Sequence, residues 1–448
     1  MKNDRRTIVG WAMYDWANSA YFTTIAAALL PHYFASSIVP EEGYTLFGRL
    51  YDGQTLWGYT VSFGAFLMFL LTPVLGAIAD FSASKKRFLR AFAYSGALFA
   101  TLLVFVGTGD VIRTLVIFFI TQMGFVGANV FYDGFLPEIT TLDTIDRVSA
   151  KGYAYGYIGG GLQFALALGL VAGHTTVGIS LALAVKLSLA MAGLWWFGFS
   201  VFALSRLREA RNAQSLPADY RTLPMLIAYA RVGIGRTWAT TRKLWGFKQM
   251  MRFLVAYVVY NDGVQTVIDM ASVYGTDTLK LSTTAIMVTF LIVQLIAFFG
   301  ALFFGVLADR VGAKRAVLIS LGLWGLVVIN AYSMPEGAAV RFFILGAAVG
   351  LVLGGTQSLS RSLYGSMIPE EASAEFYGFY SVFSKFSAIW GPFIFATVNH
   401  LTGSARNAIL SLIALFIVGA ILLAKVDVEK ARASRLRWRF EGAEAEVE

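Results

Sequence analysis

The chain has no cysteine and only three histidines in 448 residues. Disulfide frameworks, thiolate nucleophiles and Cys-ligated zinc are therefore excluded, and histidines without paired spacing do not form a metal site. Charge is scarce as well: Asp, Glu, Lys and Arg make up 14% of the residues, well below the roughly one quarter found in soluble domains. No G-x-x-x-x-G-K-[ST] stretch occurs, so nucleotide hydrolysis within the chain is not the energy source. What the sequence has in abundance is apolar surface, 57% of all residues. It falls in charge-poor stretches of ~20 residues, the length that crosses a hydrocarbon core as a helix. An all-α, multi-pass membrane protein follows. A net charge of +9 would suggest nucleic acid in a soluble protein, but here the basic residues lie between apolar runs and report orientation, so no nucleic-acid partner is expected. The opening MKNDRR resembles a signal peptide, yet the apolar run from Thr7 to Val39 outlasts a signal core and reads as a retained first span.

Helices are predicted near 7–37, 54–79, 88–107, 112–136, 150–172 and 179–204, and again near 252–275, 284–308, 315–333, 341–368, 376–398 and 405–424. These twelve spans define an N-terminal six-helix half (1–204), a linker (205–251), a C-terminal half (252–424) and a tail (425–448). With the N-terminus inside, inner segments hold 28 Lys or Arg, and the outer loops hold five: Arg49, Arg113, Lys280, Arg341 and Arg406. That asymmetry predicts that both ends are cytoplasmic. The linker sets Arg206, Arg208, Arg211, Arg221, Arg231, Arg236, Arg242, Lys243 and Lys248 against Glu209 and Asp219, and reads as an inner-surface segment held at anionic headgroups. The tail ends in EGAEAEVE, a composition that predicts disorder.

The two halves are related. After span two the chain reads GAIADFSASKKR from Gly76, and after span eight it reads GVLADRVGAKR from Gly305, in register at an offset of 229. Span four ends Tyr132-Asp133 with Pro137-Glu138, and span ten ends at Tyr364 with Pro369-Glu370, an offset of 232. Arg6, Tyr14 and Asp15 align with Arg252, Tyr260 and Asn261. Three landmarks in one order imply a six-plus-six duplication with a binding cavity on the pseudo-symmetry axis.

Twelve spans, a long linker and the G-x-x-x-D-x-x-x-x-[KR]-[KR] loop in both halves resemble the major facilitator superfamily. The first copy carries Ala83 where the second has Gly312, so its turn is expected to differ. More narrowly, the segments Tyr14 to Tyr21, Tyr260 to Thr266, Ser358 to Ser362 and Phe376 to Tyr380 resemble the vacuole-effluxer branch, the autophagy-related permeases and their bacterial relatives. That resemblance implies a two-half major facilitator fold and a transporter in a bacterial cytoplasmic membrane, with amino-acid export as the activity attached to the fungal members. It also implies a gating role for the loop residues Asp80, Lys85, Lys86, Asp309, Lys314 and Arg315. Independently, Asp80 and Asp309 lie at helix C-termini, where the macrodipole disfavours an anion, so each needs a cation or a neighbouring helix N-terminus.

Ionisable groups at bilayer depth are costly and are functional candidates by default. They are Asp15 in span one, Asp133 in span four, Asp262 and Asp269 in span seven, Arg361 in span ten and Lys385 in span eleven. The resemblance implies that spans one, four, seven and ten line the cavity. Through the repeat, Asn129 aligns with Arg361, Asp15 with Asn261, and Gln163 with Lys385. Asn18 and Gln265 complete the polar set in spans one and seven. An amino-acid zwitterion needs an anionic site and a cationic site, which Asp262 with Arg361 or Lys385 would supply; the same residues would equally form an internal pair that holds the bundle. Asp262 is the first candidate proton carrier and Asp15 the second. Asp133 and Glu138, nearer the inner surface, read as gate residues. Gly152, Gly156 and Gly159 to Gly161 give span five small faces for close packing.

Two other classes stay in view. Tyr14-Asp15, Tyr132-Asp133 and Gly107-Thr-Gly-Asp110 superficially resemble an intramembrane aspartyl protease, but Asp110 falls in an outer loop. A lipid scramblase or a non-transporting sensor would need no coupled charge. The expectation is thus a monomeric secondary carrier, not an enzyme, with no metal or cofactor, whose partners are a small polar solute, membrane lipid and protons.

Overall fold

A computed structural model describes residues 2–436 apart from 210–212, 221, 245 and 388. Arg211 and Arg221 of the linker and the terminal EGAEAEVE lie outside the described residues. Ten helical stretches among the described residues, some of them made of successive pieces, are long and apolar enough to cross a membrane: Gly53–Phe81, Lys85–Phe105, Val111–Ile139, Ile145–Ala172, Leu181–Arg206, Thr284–Val311, Ala313–Tyr332, Ala339–Met367, Glu370–Thr402 and Ala405–Ala424. The remaining two segments of the twelve-helix layout are helical but less regular or more polar. Span one is an α-helix over Arg5–Ala20 and continues to Ile38 largely as wider π turns on either side of Leu30–Tyr33. Pro31 there lacks the N–H that would complete the ladder. Span seven, Lys248–Val273, carries Arg252, Asn261, Asp262 and Asp269 along its length.

One predicted span is interrupted. Instead of a single helix over 376–398, span eleven is two helices, Ser373–Phe386 and Trp390–Thr402. Pro392 in the first turn of the second piece has no amide N–H and its ring crowds the preceding turn, so a helix begins there more readily than it runs through.

Packing repeats between halves. Spans one and five, one and six, three and four, three and six, and two and four pack together in the first half, and seven and eleven, seven and twelve, nine and ten, nine and twelve, and eight and ten in the second. Between halves, span two meets span eleven and span five meets span eight, again a symmetric pair. Both described ends lie on one face, here the terminal face. Lys2 pairs with Glu370 beyond span ten, Asn3 bonds Thr141, and Arg432 donates to Ser366. The opposite face carries a small hairpin, Tyr44–Leu46 against Arg49–Tyr51. Within the linker, the helix Met225–Leu244 packs on span two.

Candidate functional site

Arg361 forms the centre of the site. It sits six residues before Met367, the end of span ten, about 9 Å along the helix axis at 1.5 Å per residue. Its side chain leaves its own half and enters the other. Nη1 donates to Asp15 Oδ2 at 3.2 Å and to Asp133 Oδ1 at 3.1 Å, Nε to Ser149 Oγ at 3.0 Å, and Nη2 to the Ser149 carbonyl at 2.9 Å. Only 2% of the residue is exposed. Aromatic rings enclose what remains: the guanidinium carbon lies 4.2 Å from the Tyr153 ring centre, 4.8 Å from that of Trp11 and 5.5 Å from that of Tyr132. Trp11 stacks on Tyr132 and donates to its carbonyl, and the Tyr132 hydroxyl donates to Asp15 at 2.8 Å. A Cβ on Gly152 would fall 2.7 Å from Trp11 and 2.8 Å from Arg361, so the arginine fits because span five has no side chain there. The cluster joins spans one, four, five and ten with one guanidinium and two carboxylates, leaving one anionic group in excess.

The other polar candidates fall into separate pairs. Asn18 bonds Asn129 at 2.5 Å, Gln163 bonds Thr24, and Asn261 donates to Ser387 at 2.5 Å. Gln265 is half-buried. The expected pairing of Asp262 with Arg361 or Lys385 is not what the side chains do. Arg361 is engaged by Asp15 and Asp133, Lys385 is exposed and interacts with Asp269, and Asp262 has no basic partner among the described residues. Buried Asp262 instead faces the backbone of Gly391, in the first turn of the second piece of span eleven, where the positive end of a helix compensates a carboxylate. The break in span eleven, invisible to a hydrophobicity pattern, is what relocates it. Asp133, read as a gate residue, belongs to the Arg361 cluster, because the guanidinium reaches across the interface to it. Asp110 is at the far end of span four, bonded to the Gly107 amide.

The terminal face holds the loop residues. In the first half Lys85 Nζ is 2.8 Å from Asp80, 2.5 Å from Glu138 and 2.7 Å from Ser373 Oγ of the second half. Asp80 also accepts the amides of Ala374 at 3.3 Å and Glu375 at 2.9 Å, so both the cation and the helix N-terminus required by its position are present. Gly76 lies so close to the Ala374–Glu375 backbone that a Cβ would come within 2.7 Å of the Glu375 Cα, which explains the glycine of the motif. Lys86 turns away to the Leu207 carbonyl. In the second half Asp309 pairs with Arg147 at the start of span five, not with its loop cations. Lys314 donates to the carbonyl of Ala424, the last residue of span twelve, and to that of Val426 just beyond it, at 2.7 Å each, and Arg315 is exposed. Ala83 adopts a left-handed φ of 47° where Gly312 has 86°, so the two turns do differ.

Sequence reading missed Trp11, Ser149, Ser373 and Arg147. Three tyrosines of span five divide between its faces: Tyr153 lies under Arg361, Tyr157 donates to Gln357, and Tyr155 sits by Lys151.

A profile of the family described as vacuole effluxer Atg22 like matches residues 3–145 and 138–435. An uncharacterized MFS-type transporter of Bacillus subtilis (strain 168), YxiO, is 31% identical over 96% of both chains. Autophagy-related protein 22 of Coccidioides immitis (strain RS) is 26% identical over 86% of this chain and 74% of its own length. Among solved structures, the fold is similar to that of the proton:xylose symporter XylE (TM-score 0.67, 13% identity, 96% of this chain and 98% of that one). It is also similar to that of the human organic anion transporter MFSD10 (TM-score 0.66, 14% identity, 94% and 100%). With a profile and a full-length relative that both cover nearly all of it, the chain belongs to the vacuole effluxer Atg22-like family, a branch of the major facilitator transporters.

Proposed function

We propose that the chain is a proton-coupled secondary transporter that moves an amino acid or similar small polar solute by alternating access. The observation that carries this reading is the Arg361 cluster, which ties the two halves together at bilayer depth through groups that are expensive to bury unpaired. Such a junction is exchangeable. A solute carboxylate offers Arg361 the same planar acceptor as Asp15 or Asp133, and the solute ammonium, or a proton, satisfies the carboxylate released. Exchange of partners loosens the hold of span ten on the first half, which supplies the differential affinity between states that transport needs. The excess carboxylate supports a cationic occupant, ammonium or proton, over an anionic one. The family description as an effluxer and the name of the Bacillus subtilis relative as an MFS-type transporter support the activity class. The predominance of basic residues on the terminal face supports cytoplasmic termini in a bacterial inner membrane, and the chain is read as acting as a monomer.

The test is purified protein in liposomes, with labelled amino acids, sugars and organic acids offered with and without an imposed pH gradient. Gradient-driven amino-acid flux that is lost in Asp15→Asn and Arg361→Gln is expected. A loss confined to Asp262→Asn would move the proton to span seven. Flux indifferent to the gradient and unchanged in Asp15→Asn removes the coupling, and flux no greater than in empty vesicles for every solute removes transport.

A further inference from the structure

The linker helix Met225–Leu244 has two faces with different jobs. One is docked. Gly233 presses on span two, where a Cβ would lie 3.1 Å from the Val74 carbonyl, and Tyr229 meets the Phe81 ring edge-on at 6.2 Å. Arg236 lies over Phe81 at 5.4 Å and bonds Gln214. Phe81, under Arg236, adjoins Asp80, which accepts the Ala374 and Glu375 amides at the start of span eleven, and Arg236 is attracted to both Glu375 and Asp80. The helix therefore crosses the seam between the halves on the terminal face, beside the Asp80–Lys85–Ser373 network.

The other face is covered by none of the described residues. Ile227, Arg231, Ile234, Trp238 and Arg242 recur at the spacing of a single helical stripe, and all are exposed, Ile234 and Trp238 at 61% and 60%. Arg242 stacks on Trp238 at 5.1 Å. The stripe alternates apolar and basic groups, the pattern of a helix lying in the headgroup plane with its apolar side chains dipped toward the acyl boundary. Its depth fits: the helix rests on Val74–Phe81, the last two turns of span two. The charge of the surrounding linker selects the lipid, because Arg206, Arg208, Arg231, Arg242 and Lys248 outnumber its acidic residues Glu209 and Asp219.

We propose that this stripe binds anionic phospholipid, and that the bound leaflet holds the linker helix down as a latch that favours closure of the terminal face. Lipid binding and closure are then linked, each strengthening the other by the same factor. The latch rests on the alternating-access reading but on no particular solute.

The absence of native cysteine makes the test direct. Gly235→Cys, where an added Cβ meets nothing within 4 Å, carries a bimane in the full-length protein. The protein is reconstituted in phosphatidylcholine vesicles with or without about one third phosphatidylglycerol, each doped with a shallow spin-labelled lipid quencher. Strong quenching only with phosphatidylglycerol is expected. A basic residue at such a surface changes partition roughly five-fold, so Arg231→Glu with Arg242→Glu should abolish the quenching and the Lys pair should restore it. In parallel, spin labels at exposed Arg87→Cys and Arg310→Cys, one on each half, should report a larger short-distance population in the anionic vesicles. Absence of quenching in both vesicles, as when a protein is the true occupant, overturns the proposal. Quenching that ignores lipid charge and the reversals, or a distance distribution identical in the two lipids, overturns it as well.

Discussion

The two copies of one loop motif share a sequence pattern but not an environment. In the first, Asp80 and Lys85 are 0% and 3% exposed at their side chains, and the lysine is shared with Glu138 and Ser373. In the second, Asp309 and its partner Arg147 are 20% and 66% exposed. Both copies reach across the interface, one to the start of span eleven and the other to the start of span five, at positions related by the duplication. Solvation therefore decides which copy is costly to break. A charge removed from a dry network leaves its partners uncompensated, whereas one removed from a wet pair is replaced by water and salt. Duplication supplied two equivalent ion-pair positions, and burial of one made them unequal.

The largest expected effect comes from breaking the dry copy. Lys85→Met takes from buried Asp80 the cation it shares with Glu138, and should cost about 3–5 kcal/mol of stability. Thermal unfolding of the purified protein measures it. The corresponding wet-copy change, Arg147→Ala, should cost less than about 1 kcal/mol and shrink further in high salt. Equal losses for the two substitutions would mean that the buried position of Lys85 confers no advantage, and the inequality of the copies would fail.

Much of this was legible in the sequence, and what was not has a common cause. Span positions follow from apolar runs, and the equivalence of Asp80 with Asp309 follows from the repeat. The need of each for a cation or a helix N-terminus follows from the macrodipole. Depth was therefore readable. Azimuth was not: on helices apolar all round, periodicity does not say which side a charge faces, so Arg361 looked as available to Asp262 as to Asp15 and Asp133. Contacts made by small or ordinary residues were equally silent. Ser149 binds Arg361 twice and Ser373 binds Lys85, yet neither serine stands out in a chain of this composition. The break in span eleven needed the joint reading of Pro392 and of the carboxylate opposite it.

The finest distinction between the copies lies at their rims, and pH can expose it. Span three begins at Lys85 without a side-chain cap from Ser84; its first amide donates instead to Glu209 of the linker at 2.5 Å. Burial pushes the Glu209 carboxyl above its ordinary 4.5, against the opposing pull of the Lys85 and Lys86 amides. A carboxyl raised in the folded state binds more protons there than when unfolded. This group's contribution is therefore full below 4.5 and declines as pH rises through its folded value. The wet copy has a different rim, since span nine begins at Gly312–Ala313 without a carboxylate cap. Glu209→Gln should therefore flatten the dependence of melting temperature on pH in the acid range just above 4.5, and substitutions at the start of span nine should leave that dependence alone. A slope unchanged in Glu209→Gln would show that the linker carboxyl is hydrated in the folded protein, and would place the boundary of the dry network at Lys85 itself.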